Sequence, residues 1–208
     1  MTTQVKLIRE FLWMVLISIL LLCCGKVSAQ VLPEYSAFPE SSVGLQLGTQ
    51  GFGIQASKSI AKTFNIRAGF NTVPGITVLY NNRDLKLDRT SIYAIADWQP
   101  LYGNNEWLAR KWFISAGVGY YLNNTVYREG IGATPDYSVA LSKFRPYIGT
   151  GLGNIRVRNN ISMRLDLGFF IPTQTPVSTY ENKAQTITNG LRGLLPGLNT
   201  GVTFYFKF

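Results

Sequence analysis

From residue 42 to the C-terminal Phe208 the chain repeats one pattern, in which apolar residues alternate with small or polar ones. A period of two residues is typical of β-strands, because successive side chains point to opposite faces of a sheet. In the last ten residues one face is strongly apolar and consists of Val202, Phe204, Phe206 and Phe208. The pattern therefore predicts an all-β protein that ends on an aromatic strand.

The alternation divides the chain into strands separated by turn-like segments. The predicted strands lie at residues 42–47, 51–57, 64–71, 92–98, 112–122, 147–153, 161–169 and 199–208. Most connections between them are short, but residues 123–142 and 173–196 are predicted to form two long loops.

The first two segments differ in phase. Residues 42–47 place the apolar side chains at odd positions, whereas residues 51–57 place them at even positions. A regular strand cannot change phase in this way, so residues 48–51 are predicted to form either a tight hairpin or a β-bulge. A hairpin gives eight strands. A bulge leaves an odd number, or requires a further strand near residues 74–80.

The face opposite the apolar one carries charged residues in the middle of predicted strands: Arg67, Asp97, Arg164 and Asp166. Charged side chains inside a soluble core are costly, whereas a barrel in lipid can hold them in its lumen, where they pair. We therefore predict an antiparallel up-and-down transmembrane β-barrel over residues 42–208. The four charges are interpreted as a lumen network that fills the barrel, with an ion-conducting constriction as the alternative.

Composition agrees with a membrane barrel and excludes several other classes. Charged residues are 15% of the chain, below the ~25% typical of soluble domains. The mean hydropathy of +0.08 is too low for a helical membrane protein. The chain has no histidine, which removes His-dependent nucleophilic catalysis and His-based metal sites. We expect no enzymatic activity and no cofactor.

The N-terminus resembles an export signal. Lys6 and Arg9 precede an apolar run, and small residues stand before position 30, which predicts a signal peptide over residues 1–29 cleaved after Ala29. Residues 30–41 are then expected to be a flexible lead-in. Two alternatives stay open: an uncleaved anchor, and a lipoprotein signal that uses Cys23 or Cys24.

The basic excess indicates which partners to expect. Seventeen of the 20 basic residues and ten of the 11 acidic residues follow position 29, which leaves a net charge of +7. These charges are scattered rather than clustered, so we expect contact with outer-membrane lipid and lipopolysaccharide and no nucleic-acid binding. No partner of the loops can be named from the sequence.

Several short motifs, taken in order, resemble those of small bacterial outer-membrane β-barrel proteins of the OmpA/OmpX-like, porin-family kind. They are Val43-Gly44-Leu45, Gly48-Thr49-Gln50-Gly51-Phe52-Gly53, Asp97-Trp98-Gln99-Pro100, Pro146-Tyr147-Ile148-Gly149-Thr150-Gly151 and the terminal Phe208. The resemblance implies residence in the outer membrane. It also implies that the barrel-assembly machinery recognises the terminal strand, with Phe204, Phe206 and Phe208 as the signal.

Aromatic residues near the strand ends are candidates for the girdles that mark the two membrane interfaces: Trp98, Trp112 and Tyr120. The function expected from these features is a structural or surface-interaction role through the outer loops. The alternatives are a narrow pore for small solutes and a lipocalin-like carrier, which would need an apolar interior.

Overall fold

The structure is a computed structural model of the chain. It describes residues 36–80, 83–130, 135–180 and 197–208. The predicted signal peptide and the Cys23 and Cys24 alternative lie outside the described residues.

Eight antiparallel strands close into a barrel, which confirms the predicted fold class. They are β1 (Ser41–Gly48), β2 (Gly51–Ala61), β3 (Phe64–Tyr80), β4 (Arg83–Trp98), β5 (Trp112–Arg128), β7 (Phe144–Arg158), β8 (Ile161–Phe170) and β10 (Leu198–Lys207). Each strand pairs with the next one in this series, and β10 returns to pair with β1.

Three smaller elements lie between the barrel strands. They are the helix α1 (Trp107–Lys111) and the short strands β6 (Tyr137–Ala140) and β9 (Val177–Ser178). In the described part of the chain, no helix has the length and apolar character needed to span a membrane.

Residues 48–51 form a hairpin, so the first of the two alternatives holds. Gly48 pairs with Gly51 across a turn made by Thr49 and Gln50. Gly51 has a φ of +98°, which a residue with a side chain rarely adopts. The hairpin makes β1 the first barrel strand and therefore the partner of the aromatic terminal strand.

The two faces of the barrel wall have opposite chemistry, as the alternation predicts. Leu45, Ile54 and Ile148 on the outer face are 66%, 59% and 56% exposed, whereas Arg67 and Asp97 are 1% and 0% exposed. A soluble barrel would have the reverse arrangement. The apolar side chains form the outer surface and the polar ones form the interior.

We call the end where β1 begins and β10 ends the terminal end, and the opposite end the loop end. At the terminal end, two turns consist of the pairs Lys62-Thr63 and Asn159-Asn160. The connections over residues 129–143 and 171–197 are at the loop end.

Three strands, β3, β4 and β5, have 16 or 17 residues, beyond the ~9–11 that cross a bilayer. At the loop end these three strands extend the wall beyond β1 and β2.

This extension corrects two sequence expectations. Half of the loop predicted at residues 123–142 is strand, because β5 continues to Arg128 and then pairs with β6. Its inner side is a small apolar cluster of Val126, Tyr137, Val139 and Leu141, joined by Leu87. In the loop predicted at residues 173–196, β9 pairs with β6. Residues 181–196 lie outside the described part.

The described part of the predicted flexible lead-in at residues 30–41, which begins at Ser36, is packed against the barrel. Ser36, Ala37 and Phe38 are buried at the terminal end of the barrel, and Ser41 already belongs to β1. Phe38 lies 5.7 Å from Phe113, ring centroid to ring centroid. This contact joins distant parts of the chain, so the local pattern carries no sign of it.

Candidate functional site

The four charged residues of the predicted lumen network lie together inside the barrel. Arg67 Nε is 3.2 Å from Asp97 Oδ1, and Arg67 Nη2 is 3.0 Å from Asp166 Oδ1. Arg164 Nη1 is 2.8 Å from Asp97 Oδ2, and Arg164 Nε is 3.0 Å from Asp166 Oδ1. Each guanidinium thus joins both carboxylates, and the group is electrically balanced. We call these four residues the lower network.

Neutral side chains complete the hydrogen bonding of the lower network. Asn65 Nδ2 donates to Asp97 Oδ2 over 2.8 Å, and Ser115 Oγ donates to Asp97 Oδ1 over 2.6 Å. Arg67 Nη1 donates to Gln55 Oε1 over 3.1 Å. The four charged side chains are between 0% and 5% exposed. The network therefore fills its section of the lumen.

Strand register explains why these residues meet. Asp97 stands opposite Asn65 on one neighbouring strand and opposite Ser115 on the other. Residues directly opposite each other in an antiparallel pair have Cβ atoms ~5 Å apart, within hydrogen-bond reach of short side chains. The alternation predicts that each residue faces inward, but the register decides which of them touch.

Above the lower network, two tyrosines cross the lumen. The Tyr93 hydroxyl lies 2.6 Å from Gln46 Oε1 and 2.9 Å from Gln55 Oε1. The Tyr147 hydroxyl accepts a hydrogen bond of 3.2 Å from Asn199 Nδ2. Glycines beside these rings leave room for them: a Cβ at Gly69 on β3 would collide with Tyr93, and one at Gly149 on β7 or Gly168 on β8 would collide with Tyr147.

A third group lies at the loop end of the lumen. We call Gln50, Arg89, Tyr121 and Arg145 the upper cluster. The guanidinium carbons of Arg89 and Arg145 lie 5.4 and 5.3 Å from the centroid of the Tyr121 ring. Tyr121 also donates to Gln50 Oε1 over 2.9 Å. These four side chains are each no more than 1% exposed.

The upper cluster was not among the sequence-predicted site residues, although a signal for it exists. Arg89 is in phase with the inward Ser91 and Tyr93, and Arg145 is in phase with Tyr147. Both arginines precede the segments where the alternation is clear, one beside turn-like residues and the other beside Pro146. Extending the phase of each strand by one or two steps would have found them.

The terminal end of the lumen is covered by the N-terminal segment. Ala37 N–H donates to Gln99 Oε1 over 2.8 Å, and Asn154 Nδ2 donates to the Ser36 carbonyl over 3.0 Å. Phe38 packs on Phe113, and the Arg164 guanidinium carbon lies 3.9 Å from the Phe113 ring centroid. The cover is thus connected directly to the lower network.

The outward aromatic residues lie where the alternation places them. Trp98 is 45% exposed and stacks on Phe64 with 6.3 Å between ring centroids, while Tyr120 is also 45% exposed. Trp112 is half-buried and donates from Nε1 to Thr150 Oγ1 over 2.8 Å. Their assignment to membrane girdles stays a prediction.

The terminal aromatics also point outward. Phe204, Phe206 and Phe208 are 43%, 57% and 60% exposed. Their role as an assembly signal stays a prediction too. Within the described residues, no group of three or more His, Cys, Asp or Glu side chains is placed to hold a metal ion.

Solved structures with the same architecture come from Acinetobacter baumannii. The crystal structure of CarO superposes with a TM-score of 0.52 at 15% identity and covers 82% of this chain and 98% of that one. The fold is that of a small outer-membrane β-barrel. The crystal structure of CarO2 gives a TM-score of 0.56 at 17% identity and covers 81% of this chain and 98% of that one. No protein-family model and no curated protein matches the sequence.

At this level of identity the likeness to CarO extends to the fold alone. The resemblance to small outer-membrane barrels read from the sequence motifs is confirmed at that level. A functional proposal for this chain must therefore rest on its own lumen side chains and on the surface of its loop end.

Proposed function

We propose that the protein is an integral outer-membrane barrel without enzymatic activity, whose wall and lumen form a rigid support for a surface-interaction site at the loop end. The observation that carries this proposal is the filled lumen. From the N-terminal cover through the lower network and the two tyrosines to the upper cluster, the described interior side chains are buried, and hydrogen bonds or ion pairs connect the members of each group.

The lumen favours support over transport. A pore for small solutes needs a continuous water-filled path, as wide porins have, whereas a small barrel is filled by its own side chains. Arg67 and Arg164 each form two salt bridges, one to Asp97 and one to Asp166. Moving either arginine aside to open a path would break both of its salt bridges and leave two buried carboxylates with only one positive partner. The polar interior is likewise unlike the apolar cavity that a lipocalin-like carrier would need.

The loop end offers the surface for interaction. Tyr127, Val177 and Tyr180 are 49%, 70% and 42% exposed on segments that extend past the membrane-crossing length. A cleft of about 390 Å³ lies beside them, lined in part by Lys86, Tyr127 and Asp136. Exposed aromatic side chains beside charged ones are typical of interaction surfaces.

Planar-bilayer recording tests the proposal against the narrow-pore alternative. The mature chain, folded in detergent and inserted into a bilayer, is expected to give no stepwise conductance at moderate voltage. A wide porin inserted in the same chamber serves as the positive control for insertion and detection. Reproducible unitary openings from the wild-type protein would establish the pore and contradict the supporting role of the lumen.

A further inference from the structure

Two arginines of the upper cluster carry charge that no described acidic side chain balances. Arg89 on β4 and Arg145 on β7 are each 1% exposed. The salt bridges formed between described residues all belong to the lower network, where two arginines meet two aspartates. One section of the same lumen is therefore neutral, and the other holds two buried positive charges.

The partners of both arginines are neutral, and each guanidinium keeps an unused donor. Arg89 donates from Nε to Asn124 Oδ1 over 3.1 Å and from Nη1 to Gln50 Oε1 over 3.2 Å. Arg145 donates from Nε to the Ser142 carbonyl over 3.2 Å and to its hydroxyl over 3.0 Å. Arg89 Nη2 and Arg145 Nη1 are buried without an acceptor.

Both charges also lie against the same aromatic ring. Both guanidinium carbons lie over the Tyr121 ring, at 5.4 and 5.3 Å from its centroid, so their separation cannot exceed the sum of these two distances. Asp88 does not relieve them, because neighbouring residues in a strand point to opposite faces and its carboxylate accepts from Asn123. The ring face attracts both cations but carries no net charge.

Deprotonation cannot remove these two buried charges, because the guanidinium group of arginine stays charged in proteins. Two buried, like-charged groups with unused N–H donors are strongly unfavourable unless an anion compensates them. Their planar donor forks suit the oxygens of a phosphate or a carboxylate.

We propose that the upper cluster is a binding site for a small divalent oxyanion of the phosphate class, held between Arg89 and Arg145 beneath the loop end. The anion supplies two negative charges against two guanidinium groups and accepts the unused N–H donors. The side chains are too enclosed for a phosphate that carries acyl chains, so the site takes free phosphate rather than a lipid headgroup. This site does not depend on whether the lumen conducts.

Isothermal titration calorimetry with inorganic phosphate tests the site on the mature chain folded in detergent. At constant ionic strength, saturable binding of one phosphate per barrel is expected, and chloride is expected to give none. Arg89→Gln and Arg145→Gln should each weaken binding by about tenfold or more, because each removes a charge-assisted hydrogen bond. Arg156→Gln is the matched control, since Arg156 is exposed at the terminal end.

A second measurement covers the case in which a variant folds poorly. Phosphate should raise the unfolding temperature of the wild-type barrel and of Arg156→Gln relative to chloride at equal ionic strength. Arg89→Gln and Arg145→Gln, where they give the compact folded band on an unheated gel, should show no such rise.

Three results would overturn the proposal. The first is a wild-type barrel that neither binds nor is stabilised by inorganic phosphate. The second is binding to lipopolysaccharide micelles without binding to inorganic phosphate, which would show that the protein recognises a lipid headgroup and not free phosphate. The third is an equal loss of phosphate binding in Arg156→Gln, which would show general attraction to a basic surface.

Discussion

At the scale of single residues, Asp97 is the acceptor on which the lower network depends. It receives hydrogen bonds from Arg67, Arg164, Asn65 and Ser115, whereas Asp166 receives them from the two arginines alone among the described residues. Removing one member of a buried ion-pair group leaves an uncompensated charge, at a cost of about 3–5 kcal/mol. We expect Asp97→Asn to destabilise the barrel by about this amount, and by more than Asp166→Asn does.

Guanidinium-induced unfolding of the detergent-folded barrel, followed by tryptophan fluorescence, measures both changes. Asp136→Asn is the control, because Asp136 is exposed and accepts from the Gly130 N–H at the loop end. Equal midpoints for Asp97→Asn and Asp136→Asn would mean that the lower network contributes little to stability.

At the scale of elements, the first hairpin decides how many strands the barrel has. Gly51 closes it with a φ of +98°, and an added Cβ would collide with the Thr72 carbonyl on β3. Gly103 has a similar φ of +88°, but an added Cβ would meet nothing within 4 Å. Comparing the two glycines therefore separates backbone strain from collision.

We predict that Gly51→Ala lowers the stability of the barrel clearly more than Gly103→Ala does. The Gly103 change should cost about 1–2 kcal/mol, the price of an unfavourable φ for an L-residue. The Gly51 change should cost more than this, because its added Cβ would also push the Thr72 carbonyl on β3 out of place. Unfolding midpoints of the two variants decide this, and equal losses would show that the hairpin relaxes without disturbing β3.

At the scale of the whole molecule, the sequence predicted the faces of the strands better than the contacts between them. Period-two alternation places Arg67 and Asp97 inside, because inward and outward positions strictly alternate. It could not place the buried Phe38 against Phe113, since that contact depends on where a distant segment docks. Arg145 escapes prediction because the clear alternation in β7 begins only at Tyr147.

Closure of the barrel is the property of the whole chain that the last residues control. Val43 pairs with Phe206 and Leu45 with Phe204, and the Phe208 N–H donates to the Ser41 carbonyl over 3.0 Å. The free edge of β1 can therefore pair only after β10, the last strand, has been synthesised. If the assembly machinery recognises the terminal strand, it must do so before that strand pairs with β1. Exposed aromatic side chains at the end of the strand would be accessible at that stage.

We accordingly predict that Phe208→Ala, or deletion of Phe208, lowers the amount of folded protein in the outer membrane. The Phe208 ring is 60% exposed, so its loss removes little packing within the barrel, and the stability of barrels folded in detergent should change little. Phe144→Ala is the control, because Phe144 is 48% exposed but belongs to an internal strand. Comparing the heat-modifiable band in outer-membrane fractions measures assembly. Wild-type levels for the Phe208 variants would show that assembly does not use the terminal aromatic, whereas an equal loss for Phe144→Ala would point to a general requirement for outward aromatic residues.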